Sequence, residues 1–200
     1  DTNGQSVTLA TALISSGGTL TKLGTGTLTL SGNNTFTSGL TIKSGTVQGA
    51  TSVNAFGGSG TGTITLGDSA GGSNSATVYA GSSLTFANPI ILASNTTGTL
   101  NIVNADGSIG TFSGGVTGNN NFIIQATGGS GRTFTLSGGS INNVGTITNS
   151  GTATNSSTTI SAVIGTNVTG VIQNSAISPL TLSGNNTFTS GLTIKSGTVQ

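Results

Sequence analysis

Asp1, Asp68 and Asp106 are the whole acidic inventory of this 200-residue chain, which contains no Glu. Hydrolysis of a glycosidic bond needs two carboxyl groups about 5–9.5 Å apart, one to protonate the leaving oxygen and one to act as nucleophile or base. Asp68 in LGDSAGG and Asp106 in NADGS both stand in turn sequences, where Asp serves by bonding its own backbone two residues on. Corners, and not a catalytic pair, are therefore predicted at both. His and Cys are absent, so the common nucleophile triads have no base or thiol, and zinc has none of its preferred ligands. NADGSIG is only a fragment of the calcium-binding solenoid nonapeptide. GGSGTGT lacks the Lys of a phosphate loop and opens no helix. The expectation is no catalytic residue, no cofactor and no metal, hence not an enzyme.

Lys22, Lys43, Lys195 and Arg132 are the basic residues, and the formal net charge is +1. Phosphate neutralisation needs clustered Lys and Arg, so nucleic acid is excluded as a partner. Lys43 and Lys195 occupy the same position in two copies of a repeat, just before a turn. Their primary role there is to keep an edge soluble; a periodic row for anionic glycans is the alternative. Thr27-Leu28-Thr29, Thr35-Phe36-Thr37 and Thr63-Ile64-Thr65 have the triplet spacing of a water-ordering, ice-binding face. Their intervals along the chain are irregular, so they are assigned to strand formation. N-x-S/T sequons occur at Asn33, Asn95, Asn155, Asn167 and Asn185, as chance alone provides in so Asn- and Thr-rich a chain.

The elements that would position these groups are announced by a repeat. LTLSGNNTFTSGLTIKSGTVQ occurs at 28–48 and, without substitution, at 180–200, an offset of 152 residues. Apolar positions persist outside the identical block, Leu9 facing Ile160, Leu13 facing Ile164 and Leu20 facing Ile172. Repeat units bury their apolar faces mainly against their neighbours, so stability grows along one axis. The expectation is one continuous solenoid over 1–200, cut from a longer tandem array, with neighbouring repeats and copies of itself as partners.

Composition agrees with that organisation. Gly accounts for 35 residues and charged residues for 4%, against about 25% charged in average globular chains. Mean hydropathy is positive at +0.19, which argues for a buried core over disorder. The longest apolar run, around Pro89 to Ala93, is far below the ~20 residues of a membrane helix, so no membrane insertion by this segment is expected. Gly, Thr, Asn and Ser are poor helix formers. Short apolar/polar alternations closed by Gly, Ser or Asn read as strands of three to five residues with glycine-rich corners. Three such strands take roughly 20–22 residues, giving about seven turns per 152 and a rod on the order of 45 Å long. The competing architecture is an immunoglobulin-like sandwich, which would use longer hairpin-linked strands and more aromatic core than the 4% present. The expected core is Leu28, Leu30, Phe36, Leu40, Ile42 and Val47, with Leu180, Leu182, Phe188, Leu192, Ile194 and Val199 in the second copy.

The stretch GGTLTKLGTGTLTLSGNNTFTSGLTIKSGTVQ, 17–48, resembles the autotransporter-associated β-strand repeat, or passenger-associated transport repeat. Leu20, Thr21 and Lys22 match its opening, Gly26 to Gly32 its middle, Asn34, Thr35 and Thr37 its NTYT element with Phe36 replacing Tyr, and Gly45 to Gln48 its close. The second copy departs at Gln173 to Pro179, where Lys22 to Thr27 stand in the first. The resemblance implies an all-β, right-handed parallel β-helix in a secreted or surface-displayed bacterial protein, localised at the cell surface or in the extracellular matrix. A rod, stalk or fibre that associates into filaments is the expected function. A passenger adhesin binding surface glycans, and a carbohydrate-active β-helix whose active site lies outside this segment, are the alternatives.

Overall fold

The computed structural model describes residues 1–58, 60–104, 107–129 and 131–200. No helix occurs among them. Strands begin with β1 (Val7–Leu9), β2 (Leu20–Lys22), β3 (Thr27–Leu30), β4 (Leu40–Ile42), β5 (Gly45–Gly49), β6 (Ile64–Leu66) and β7 (Ala76–Ala80). There follow β8 (Thr85–Phe86), β9 (Ile90–Leu92), β10 (Leu100–Asn104), β11 (Thr111–Phe112), β12 (Val116–Gly118) and β13 (Phe122–Ala126). The last six are β14 (Thr133–Leu136), β15 (Gly145–Asn149), β16 (Ser157–Ile160), β17 (Val168–Asn174), β18 (Leu180–Leu182) and β19 (Leu192–Ser196).

All strand pairs are parallel, each strand joining its counterpart one turn along, which is the pattern of a β-solenoid. The long face is a nine-stranded sheet, β1-β3-β5-β7-β10-β13-β15-β17-β19. A second face is β8-β11-β14-β16-β18 and a third is β2-β4-β6-β9-β12. From β7 onward the chain visits long, second and third faces in that order. Turns are more variable than the predicted 20–22 residues: Leu28 pairs with Val47, a step of 19, whereas Val47 pairs with Val78, a step of 31. Loops at the corners absorb the difference, because only the ladder positions must recur in register.

Alternation along short strands puts every second side chain inside. Leu28, Val47, Val78, Ile102 and Ile124 form one inward column of the long face. Leu40, Ile64, Ile90 and Val116 form a column of the third face, continued by single bridges to Ile141 and Ile164. Phe86 and Phe112 continue into Leu136 and Ile160 on the second face. Phe56 packs against Phe86 with centroids 4.8 Å apart and ring planes tilted by 56°, and Phe112 lies 5.5 Å from Phe86 and 6.1 Å from Phe134. The facing column must be small: a Cβ at Gly49 would meet Phe56 at 2.8 Å and Phe86 at 2.9 Å.

The two identical segments do not occupy equivalent faces. In the first copy Leu28–Leu30 lie in the long face, Leu40–Ile42 in the third and Gly45–Gln48 in the long face again. In the second, Leu180–Leu182 lie in the second face, Leu192–Ser196 in the long face, and Val199 bridges back to Leu180. The asparagine turn is nonetheless the same in both, although the first copy leaves its strand after Ile42 and the second continues as strand to Ser196. Leu13 donates its N–H to Asn34 Oδ1 at 2.8 Å while Thr35 N–H donates to Leu13 O; Ile164 does the same with Asn186 Oδ1 at 2.9 Å, and Thr187 N–H with Ile164 O. The 152-residue step thus spans six turns and a third, where about seven turns were expected. A bifunctional thiol reagent is expected to bridge the pair Thr159→Cys/Thr181→Cys, neighbours in β16 and β18, and to leave Ile172→Cys/Thr181→Cys unbridged. The opposite pattern would place β18 against β17 and restore a whole-turn step.

Burial divides the copies. Leu28, Leu30, Phe36, Leu40, Ile42 and Val47 are buried, as is Leu180. Leu182, Phe188 and Val199 are partly buried against the core. Leu192 and Ile194, assigned to the core from sequence, are instead 44% and 55% exposed. Ile42 has Leu66 in register on the next turn, whereas β19 is the last strand of the long face and no described turn covers it.

Candidate functional site

Outward side chains of the long face form two columns. Thr27, Thr46, Thr77 and Asn101 are in register on adjacent strands, as are Thr29, Gln48, Tyr79, Val103 and Gln125. The first column is mostly short hydroxyl side chains and the second is taller, so a step runs parallel to the solenoid axis. It encloses a shallow trough of about 490 Å³ lined by members of both columns. Val103 is only 5% exposed although it lies outside the core cluster, a consequence of its place between Tyr79 and Gln125. Gln125 Nε2 donates to Ser150 Oγ at 3.1 Å and Asn101 Nδ2 to Thr77 Oγ1 at 3.4 Å. No charged residue lines the trough. Its chemistry is that of amide and hydroxyl hydrogen bonds around one aromatic ring, the only Tyr of the chain.

Among the described residues the charged groups lie outside the trough, and Lys43 is paired with Asp68. Asp68 follows β6 and accepts a hydrogen bond from Ala70 N–H at 3.0 Å, with Lys43 Nζ 3.2 Å away. Both interactions hold its carboxyl below the ordinary aspartate value, the backbone hydrogen bond most strongly. Asp68 thus has the turn geometry its sequence implies. Asp106 lies outside the described residues. Among the described residues no three His, Cys, Asp or Glu side chains are grouped to hold a metal ion. Lys195, the equivalent of Lys43, is exposed on β19. The asparagines of the five sequons are all exposed.

Lys22 is the residue whose place sequence reasoning missed. It takes an inward position of the third face, in register with Ile42 and then Leu66, and is 2% exposed. Its ammonium turns into a corner and donates to the carbonyls of Leu23 at 2.9 Å, Gly24 at 2.5 Å and Ser44 at 3.2 Å. Gly45, at φ +71°, lines the same corner, and a Cβ there would meet the carbonyls of Gly24 and Gly26 at 2.5 Å and Lys22 Nζ at 2.8 Å. The only sequence signal was its place in the repeat's own motif, followed by the glycine-rich corner LGTG. Burial lowers the Lys22 pKa, so the unfolded chain binds the proton more tightly and stability rises with pH up to the ordinary lysine range. Lys22→Met, which keeps the stem and removes the donor, is expected to lose about 1–3 kcal/mol at neutral pH by leaving carbonyls unpaired. It also abolishes the alkaline rise, both being read from urea unfolding across pH. An unchanged midpoint would mean that water replaces the ammonium without cost.

A model of the passenger-associated-transport-repeat matches residues 20–48 and again 180–200. Both copies of the identical segment therefore carry this repeat, and the matched regions include Lys22, Asn34 and Gly45 of the first copy. No curated protein and no solved structure gives a significant match to the chain.

Proposed function

We propose that this chain is a non-enzymatic structural segment of a secreted bacterial surface protein, a rod or stalk that spaces other parts of its parent polypeptide from the cell. The observation that carries the reading is the unbroken parallel ladder of the long face from β1 to β19. Nine strands at ~4.8 Å make a rigid column on the order of 40 Å, and every turn stabilises the next. The passenger-associated-transport-repeat matches support an exported, surface-exposed location. Extension of the solenoid beyond one period into a tandem array belongs to the same proposal.

Self-association into filaments or bundles is part of it. With a formal net charge of +1, rods of this kind meet little electrostatic repulsion. Sedimentation velocity over a concentration series, with negative-stain microscopy of the same samples, is expected to show rods that associate laterally or end to end. A strictly monomeric protein at the highest concentrations would remove the filament reading and leave the spacer.

A second reading, an adhesin that binds neutral surface glycans, is supported by the trough. Its lining offers hydroxyls, the amides of Gln48, Asn101 and Gln125, and the face of Tyr79, with no charge to favour an ionic ligand. A screen of neutral oligosaccharides tests it: saturable binding lost in Tyr79→Ala supports the adhesin, and no binding to any of them eliminates it.

A further inference from the structure

The inward column of Leu28, Val47, Val78, Ile102 and Ile124 changes character at its next two members, Asn149 and Gln173. Both are fully buried. Asn149 Nδ2 donates to Gln173 Oε1 at 2.7 Å and to Ser178 O at 2.9 Å, while Asn149 Oδ1 accepts from Thr158 Oγ1 at 3.1 Å. Gln173 Nε2 donates to Ser175 O at 2.8 Å and to Ser178 O at 3.0 Å. Two amides therefore tie β15 and β17 of the long face to β16 of the second and to the 175–178 corner that leads into β18.

Alternation cannot fix the register of these strands. A slip of one residue turns every side chain to the wrong face, but a slip of two returns each to its own. β17, at seven residues the longest strand described, offers the most registers. Its pairing is irregular at both ends: Thr169 is extra between the pairs Gly145–Val168 and Thr146–Gly170, and Lys195 is extra between Gln173–Ile194 and Asn174–Ser196. A two-residue slip would set Gln173 against Ile147 and part it from Asn149. Aliphatic neighbours tolerate such an exchange, whereas buried amides lose their partners without gaining water.

The first copy of the repeated segment has a different donor at the matching corner. The 152-residue offset relates Gly45 to Gly197, which have φ of +71° and +77°. A Cβ on Gly197 would meet Gln173 Nε2 at 3.0 Å, as one on Gly45 would meet Lys22 Nζ at 2.8 Å. The Gln173 amide thus stands where the Lys22 ammonium stands, in a copy that has Asn174 in place of the repeat's lysine. Unlike Lys22, it is bonded to a second buried amide on the preceding turn. We propose that the Asn149–Gln173 pair is a register lock, fixing β17 on β15 and with it the point at which the second copy enters the solenoid. Buried polar pairs are best attested in this role, as specifiers of register and not as sources of stability.

The chain has no Cys, so introduced disulfides report register directly. Thr148→Cys/Ile172→Cys joins in-register neighbours of β15 and β17, about 4.8 Å apart. Thr146→Cys/Ile172→Cys joins residues that come opposite only after a two-residue slip; in the native register they are about 8 Å apart, beyond disulfide reach. Oxidation of the parent chain is expected to favour the first bridge over the second by more than about tenfold, the ratio imposed by one unpaired buried amide. In Asn149→Leu/Gln173→Leu, with strand content checked by circular dichroism, both bridges are expected in comparable amounts. Ile147→Ala, which weakens the same strand without touching the amides, is expected to keep the parent's ratio. A parent chain without the first bridge, a folded double variant that keeps the parent's ratio, or an Ile147→Ala that loses it overturns the proposal. Should the double variant not fold, Gln173→Met, which leaves Asn149 bound to Ser178 and Thr158, is expected to give both bridges; the first alone would overturn the lock.

Discussion

Phe112→Ala is expected to destabilise the chain by about 3–5 kcal/mol, the cost of removing a buried aromatic side chain and leaving a cavity that stacked turns cannot close. Phe112 is 3% exposed and its ring lies within 6.1 Å of three others, Phe56, Phe86 and Phe134. Aromatic pairs add about 0.5–1.5 kcal/mol beyond their buried area, so a smaller loss is expected for Phe112→Leu, which fills most of the space but makes no ring contacts. The effect has a second signature. A solenoid couples each turn to its neighbours only, so weakening one interior interface separates the column into two blocks. Urea unfolding followed by circular dichroism is expected to shift to lower midpoint and to broaden or divide. A loss below about 1 kcal/mol with one sharp transition is incompatible with a continuous phenylalanine stack.

Ile42→Ala and Ile194→Ala, made in identical 21-residue surroundings, are expected to differ severalfold. Ile42 is fully buried with Leu66 in register above it, and its truncation falls in the class costing about 2–5 kcal/mol. Ile194 is 55% exposed on the terminal strand of the long face, and its truncation is expected to stay within about 0.5 kcal/mol. The same denaturation experiment measures both. Equal costs would show that the terminal strand is covered in solution, for example by a second copy of the chain, and would strengthen the filament reading.

Much of the architecture was legible in the sequence. Alternating Leu28, Leu30, Leu40 and Ile42 among Thr and Gly announces short strands, and the 152-residue identity announces a repeat. Parallel pairing did not follow from the alternation, which suits a hairpin-linked sandwich equally; it was implied by the resemblance and is seen in the register of the strands. Asp68 was legible as a turn residue. Lys22 was not, because a lysine is ordinarily solvated and only the folded corner shows three carbonyls converging on its ammonium. The trough on the long face was equally hidden: Gln48, Tyr79 and Gln125 are far apart in sequence and share a column only through register.

The sequence alone determined the strand type and the asparagine turn of the repeated segment, because alternation and the Asn34 and Asn186 side-chain bonds act over a few residues or one neighbouring turn; the Lys-Ser corner that follows differs between the copies. Tertiary structure alone decided which face each segment joins. A strand of Leu-Thr-Leu or Leu-Thr-Ile fits any of three faces equally, and its place is set by how many residues the intervening loops have consumed. That accumulated loop length turns the second copy by a third of a turn, placing Leu180–Leu182 in the second face where Leu28–Leu30 lie in the long face.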